Sequence, residues 1–128
     1  MADRTMLQFD YDRVHERTVN GVVGRRDGSA GWDSIAFVIE NGAVVLRVDP
    51  NTDEIVVTLE DTSDLAGDWI EVAEIAHAVG FALGWCWIGR NYRGYLDMFT
   101  LSFSGIDPQL CFLGEAPTLT IKHIIASR

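Results

Sequence analysis

Arg90, Asn91, Tyr92, Arg93 and Tyr95, with Asp97 just beyond, form the densest group of contact-making side chains in this sequence. Gly89 and Gly94 lie among them and mark a loop. Arginine and tyrosine combine a large contact area with directed hydrogen bonds and dominate interface hot spots, so the chemistry this group offers is recognition of another surface. A local reading of the same residues folds Tyr92 and Tyr95 back as core edges and pairs Arg90 or Arg93 with Asp97, which would fix the loop.

Other chemistries have weaker carriers. His15, His77 and His123 are far apart and stand in no HxH, HExxH or Cys/His spacing of a zinc site. His77 suits the end of a helix, where a cation favours the dipole. Cys86 and Cys111 form no CxxC pair and read as reduced, buried thiols, with a disulfide between strands as the alternative. Cys86 lies between Trp85 and Trp87, an apolar setting that raises a thiol pKa and makes it inert. No GxSxG elbow is present, and neither GRNYRG nor GVVGRR, with its Arg25-Arg26 pair, follows a phosphate-cradling frame. Asp49, Asn51, Asp53 and Glu60 fall at four ligand positions of a calcium-loop template. Glu54 replaces the glycine that loop needs, and a strand over 54–59 would carry Glu60 roughly 20 Å from Asp53 at ~3.3 Å per residue. An ordinary turn explains these residues, and neither a metal nor a cofactor is expected.

The charge is concentrated. The net charge is −9, and the nine acidic residues from Asp49 to Glu74 include Asp61, Asp64 and Asp68, with no lysine or arginine among them. Such a field repels phosphate backbones and attracts cationic partners, which argues against nucleic acid and for a basic protein. The plain alternative is an acidic exterior that only maintains solubility. No apolar run approaches the ~20 residues needed to cross a bilayer, and MADRTMLQF lacks the features of a secretory signal, so no membrane role and a cytoplasmic location are expected.

The elements that position these residues fit one domain over 1–128. Residues 1–17 read as a short helix or a tacked-down arm, and 18–25 as a first strand ending in the loop DGSAGWD. Strands over 34–40 and 43–49 flank Asn41-Gly42, a type I′ hairpin signal. Pro50 to Asp53 predicts a turn into a third strand over 54–59. Residues 69, 72, 73, 76 and 79 have the spacing of one helical face, Asp68 and Glu71 resemble a capping box, and Gly80 suits a helix end. This predicts a helix over 68–79, with a short helix running into a strand as the competing reading. A hairpin follows over 81–103, with Phe81, Leu83, Trp85 and Trp87 on a core face and Ala82, Gly84, Cys86 and Ile88 opposite. Strands over 110–113 and 118–125 complete the chain. The expected class is α+β: a mostly antiparallel β meander or half-barrel with one packed helix.

The run Trp85-Cys86-Trp87, Asn91, Gly94-Tyr95-x-Asp97 and the ending TLTIKHI with Ala126-Ser127 resemble small bacterial domains of unknown function. In size and acidity such domains resemble proteins that neutralise toxins in interbacterial competition, which implies binding and supplies no catalytic residues. The resulting expectation is a non-enzymatic binding module of immunity or inhibitor type, its acidic 49–74 surface meeting a basic partner and its Arg90–Tyr95 loop anchoring contact. One alternative is a small-ligand protein or modest enzyme with a pocket lined by Trp85, Trp87, Phe99 and Phe103, into which Asp97, Arg90 or His123 points. Another is a homodimer or larger homo-oligomer paired through strand edges.

Overall fold

A computed structural model describes residues 5–27, 31–65 and 67–124. Nine antiparallel strands make one curled sheet: β1 (Gly21–Asp27), β2 (Gly31–Ile39), β3 (Gly42–Val48), β4 (Ile55–Glu60), β5 (Ile70–Glu71), β6 (Leu83–Arg90), β7 (Leu96–Phe103), β8 (Leu110–Glu115) and β9 (Thr118–His123). The order is β4-β3-β2-β9-β8-β7-β6, with β1 on the other side of β2 and β5 beside β1. Two meanders therefore meet at one seam, where Trp32 of β2 pairs with Leu119 of β9 beyond the end of β3. Among the described residues no helix is long and apolar enough to cross a membrane.

Alternation along the strands fills the concave side. Phe37, Leu46, Phe99, Leu101, Leu110 and Phe112 are fully buried there, and Phe37 meets the rings of Phe103 and Phe112 at centroid distances of 5.9 Å. Each such side chain contributes about 1.5–3 kcal/mol on burial.

The sheet ends in β4, β6 and the two-residue β5, and the N-terminal segment pairs with the first two. Gln8 N donates to Val57 O (2.9 Å) and Val57 N to Met6 O (2.8 Å), closing the outer edge of β4. Further along, the same segment reaches the start of β6: Glu16 N donates to Leu83 O (2.7 Å) and Leu83 N to Arg17 O (2.8 Å). Met6, Val14 and Val19 are its buried anchors, and its only helical turn is a 3-10 turn at Tyr11–Arg13 capped by Asp10. Residues 5–17 thus form the expected tacked-down arm, residues 1–4 lying outside the described residues, and the arm spans from β4 to β6 of a curled half-barrel.

The expected helix over 68–79 is absent, so the fold is β and not α+β. Ile70–Glu71 is a short strand on β1, and Val72 N donates to Val22 O (3.0 Å). Only Ala73–Ala78 turns, as a 3-10 segment kinked at Ile75 (φ −126°). The apolar spacing served two surfaces at once. Trp69, with Leu65, covers a second small core of Ala36, Ala43 and Val45 on the convex side, whereas Val72, Ile75 and Ala78 enter the main core. Extended pairing of β-branched residues with β1 outcompetes a helix whose stripe would have to face one way. Asp68 is exposed and caps nothing in that segment, while Gly80 does close it, at φ +95°.

Smaller boundaries also moved. The β2–β3 hairpin forms, but Ile39 pairs with Gly42, so the turn residues are Glu40 and Asn41 and only Asn41 (φ 67°) has positive φ; this is not a type I′ turn at Asn41-Gly42. Trp32 and Asp33 belong to β2 instead of a loop, whereas Gly28, Ser29 and Ala30 of that expected loop lie outside the described residues, as do Ile125 and the Ala126-Ser127 ending.

Tyr11 carries the one buried side-chain polar atom without a hydrogen-bond partner among the described residues. Burial, with Cys86 nearby, pushes its hydroxyl above the ordinary tyrosine range. An unsatisfied buried hydroxyl costs stability, so Tyr11→Phe is expected to raise the unfolding free energy by about 1 kcal/mol, read by urea denaturation. A loss of stability would show that the hydroxyl is in fact partnered.

Candidate functional site

The β6–β7 hairpin carries the side chains singled out from sequence, and one bulge decides how it presents them. Leu83 pairs with Phe103 and Cys86 with Leu101, so Gly84 and Trp85 together oppose Ser102. Ser102 Oγ accepts from Trp85 N (2.8 Å) and bonds the Gly105 carbonyl. A Cβ at position 84 would meet Ser102 Oγ at 2.4 Å and Gly105 O at 2.5 Å, so only glycine fits. The extra residue reverses the alternation expected for the strand. Cys86, paired with Leu101, turns towards the core, and burial pushes its thiol up to about 11. Trp85 and Trp87, expected inside, are 55% and 39% exposed.

The outward face can be read from the pairing. Trp87 lies opposite Thr100, and Met98 lies opposite Gly89 on one side and Leu113 on the other, giving an apolar strip across β6, β7 and β8. Met98 is 40% exposed. The corresponding face of β1–β3 is covered by Leu65 and Trp69, whereas in this strip Trp87 and Met98 are exposed, Leu113 is half-buried and Thr100 is buried among them. Trp85 sits at its margin against His15, ring centroids 5.8 Å apart.

At the tip, Asn91 organises the loop. Its Oδ1 accepts from Arg93 N (2.8 Å) and Tyr95 N (3.2 Å), its Nδ2 donates to Asp97 Oδ2 (3.0 Å), and its backbone bonds Gly94 N and Tyr95 O. Asp97 therefore pairs with Asn91 and not with an arginine. Arg90 donates to the Gly94 carbonyl (3.0 Å), and Arg93 lies over the Tyr95 ring at 5.8 Å. Tyr95 is half-buried, but Tyr92 projects with 97% of its surface exposed. Leu96 N, at the foot of the loop, donates to Glu54 Oε2 (3.2 Å), tying the tip to the β3–β4 turn.

The acidic run is divided. Asp61, Asp64 and Asp68 are exposed on the segment over β1–β3, while Asp49 and Asp53 lie in the turn near the hairpin foot. The turn precedes β4 and Asp61 follows it, so the two groups lie at opposite ends of that strand. Several carboxylates are engaged: Glu74 accepts from Trp32 Nε1 (2.6 Å), Asp49 from Asn51 N (2.9 Å), and Asp53 from Ala116 N (2.8 Å). Glu60 forms a bidentate pair with Arg47 and also bonds Thr58, so it is not free to complete a calcium loop with Asp49, Asn51 and Asp53. Arg25 pairs with Asp33, and Arg26 stacks over Trp32 at 4.1 Å.

The pocket proposed from sequence is dispersed. Phe99 is in the core, Trp87 is on the outer face, and Arg90 and Asp97 belong to the hairpin tip. Phe103 and His123 do line a shared cavity of about 550 Å³, with His77, Phe81, Ser104 and Gln109, at the opposite end of the barrel. Trp85 lines the neighbouring depression with His15. Sequence spacing did not bring His77 and His123 together; their ring centroids are 5.6 Å apart.

Two outcomes test this geometry. Gly84→Ala should destabilise the fold by about 1–3 kcal/mol in denaturant titration, since the added methyl meets backbone as well as the serine. An unchanged midpoint would contradict the bulge. The Arg47 hydrogen bonds hold the Glu60 carboxyl below the ordinary range against a smaller effect of burial. Its stabilising contribution is therefore complete above the unfolded value of about 4.3 and is lost as pH falls through the lower folded value. Glu60→Gln should show a shallower fall of Tm on acidification than the parent chain; equal slopes would remove Glu60 from the acid response.

No curated protein and no solved structure matches the chain. A family model does match, over residues 1–128, and the chain belongs to that family, described as Family of unknown function (DUF6334).

Proposed function

We propose that the protein is a non-enzymatic protein-binding module, of immunity or inhibitor type, whose contact surface is the outer face and tip of the β6–β7 hairpin. The observation that carries this reading is the bulge-directed display of Trp87 and Met98 beside Leu113, with Tyr92 at the end of a hydrogen-bonded loop. Exposed aromatic side chains on a rigid strand pair lose little conformational entropy on binding and are suited to act as anchors. A net charge of −9, with Asp61, Asp64 and Asp68 exposed outside this strip, supports a basic partner. Those carboxylates steer encounter through a long-range field, while the apolar strip supplies residence time.

The strand-edge oligomer finds less support, because the N-terminal arm pairs with β4 and with the start of β6. A homodimer through the apolar strip would set two chains of charge −9 face to face.

Trp87→Ser and Tyr92→Ser, combined, should abolish salt-sensitive retention of a basic protein from an extract of the native host, while circular dichroism stays native. Charge reversal at Asp61, Asp64 and Asp68 should slow association with that protein and leave its dissociation nearly unchanged. Equal retention by the parent and the double variant would overturn the assignment of this surface.

A further inference from the structure

The far end of the barrel holds a second arrangement independent of the hairpin strip. His77 lies in the last turn of the 3-10 segment Ala73–Ala78 and His123 is the last residue of β9, and both are exposed at the mouth of the 550 Å³ cavity that Ser104 and Gln109 also line. We propose that His77 and His123 together bind one divalent transition-metal ion of the zinc class, with Gln109 or solvent completing its coordination.

The spacing fits that chemistry. An imidazole nitrogen lies about 1.1 Å from its ring centroid, so two imidazoles on one ion at the usual Zn–N of about 2.0–2.1 Å place their centroids about 5.1–5.5 Å apart for N–Zn–N angles of ~110–120°. The observed separation is 5.6 Å, with the rings inclined at 36°. Nitrogen ligands suit zinc, copper and nickel and disfavour magnesium and calcium, which take oxygen. Charge selects in the same direction: on a chain of net charge −9 a cation is the favoured occupant, and a carboxylate or phosphate ligand for the same pocket is disfavoured. Among the described residues no group of three or more His, Cys, Asp or Glu side chains gathers to hold a metal, so the site is a two-nitrogen one with open positions facing the cavity. It is not a closed structural centre. An ion here would tie the end of the 73–78 segment to the end of β9.

Zinc chloride titrated into the full chain tests this by calorimetry and by imidazole NMR signals. Saturable uptake of one ion per chain, with the His77 and His123 signals shifted, the His15 signals unmoved and Tm raised, is the expected result. His77→Phe and His123→Phe keep an aromatic pair but remove a nitrogen ligand, and each should abolish the uptake. Both side chains are exposed, so the variants should fold, which circular dichroism checks. Absence of any shift in either imidazole at millimolar zinc would overturn the proposal. So would uptake that survives in the double phenylalanine variant or depends on Cys111.

Discussion

A curled antiparallel sheet that does not close leaves strand edges with unpaired backbone groups, and in this protein one segment answers the two long ones, β4 and β6. Residues 6–8 complete the edge of β4, and residues 16–19 complete the beginning of β6 and the turn before it. Burial of Met6, Val14 and Val19 holds that segment in place between its two pairings. Without it the core of Phe37, Phe99 and Phe112 would lie in a trough with two sticky rims. The seam at Trp32 and Leu119 is a single bridge, and the two meanders are held as one body by it together with the Phe37, Phe103 and Phe112 contacts, the Glu54–Leu96 and Asp53–Ala116 hydrogen bonds, and the arm as a clasp.

Within that body, the two convex faces are treated differently. Over β1–β3, small residues at positions 36 and 43 let a covering segment approach, and that segment carries Trp69 inward and Asp61, Asp64 and Asp68 outward. Over β6–β8 the apolar residues are left in solvent. The difference originates in Ser102, whose hydroxyl holds the bulge that moves Trp87 to the outside. Apolar exposure here is a matter of register as much as of composition. The sheet can afford it because the concave side is already filled by the partners of Cys86 and Leu101.

Much of the strand layout was legible. The turn at Pro50–Asp53 and the β8 and β9 runs carry local signals strong enough to survive folding, and the β2–β3 hairpin forms one residue from where Asn41-Gly42 placed its turn. The 68–79 segment was misread because residues that serve two cores can imitate a single helical stripe, and periodicity does not distinguish the two. The tryptophans were assigned to the wrong side because parity arguments assume an unbroken ladder. Gly84 inside a strand was the available sign that it would break. The hairpin tip was partly readable: its composition marked a contact loop, but the pairing of Asp97 with Asn91 depends on three-dimensional positions. The meeting of His77 with His123 had no sequence signal, since it arises from two elements that converge only when the barrel forms.

The clasp has a kinetic corollary. Residues 6–19 are the first of these elements to leave the ribosome, yet their partner Leu83 is among the later ones, so this stretch must wait unpaired while most of the chain is synthesised. Folding of this protein should therefore end with the docking of residues 6–19, once their partners in β4 and at the start of β6 are in place.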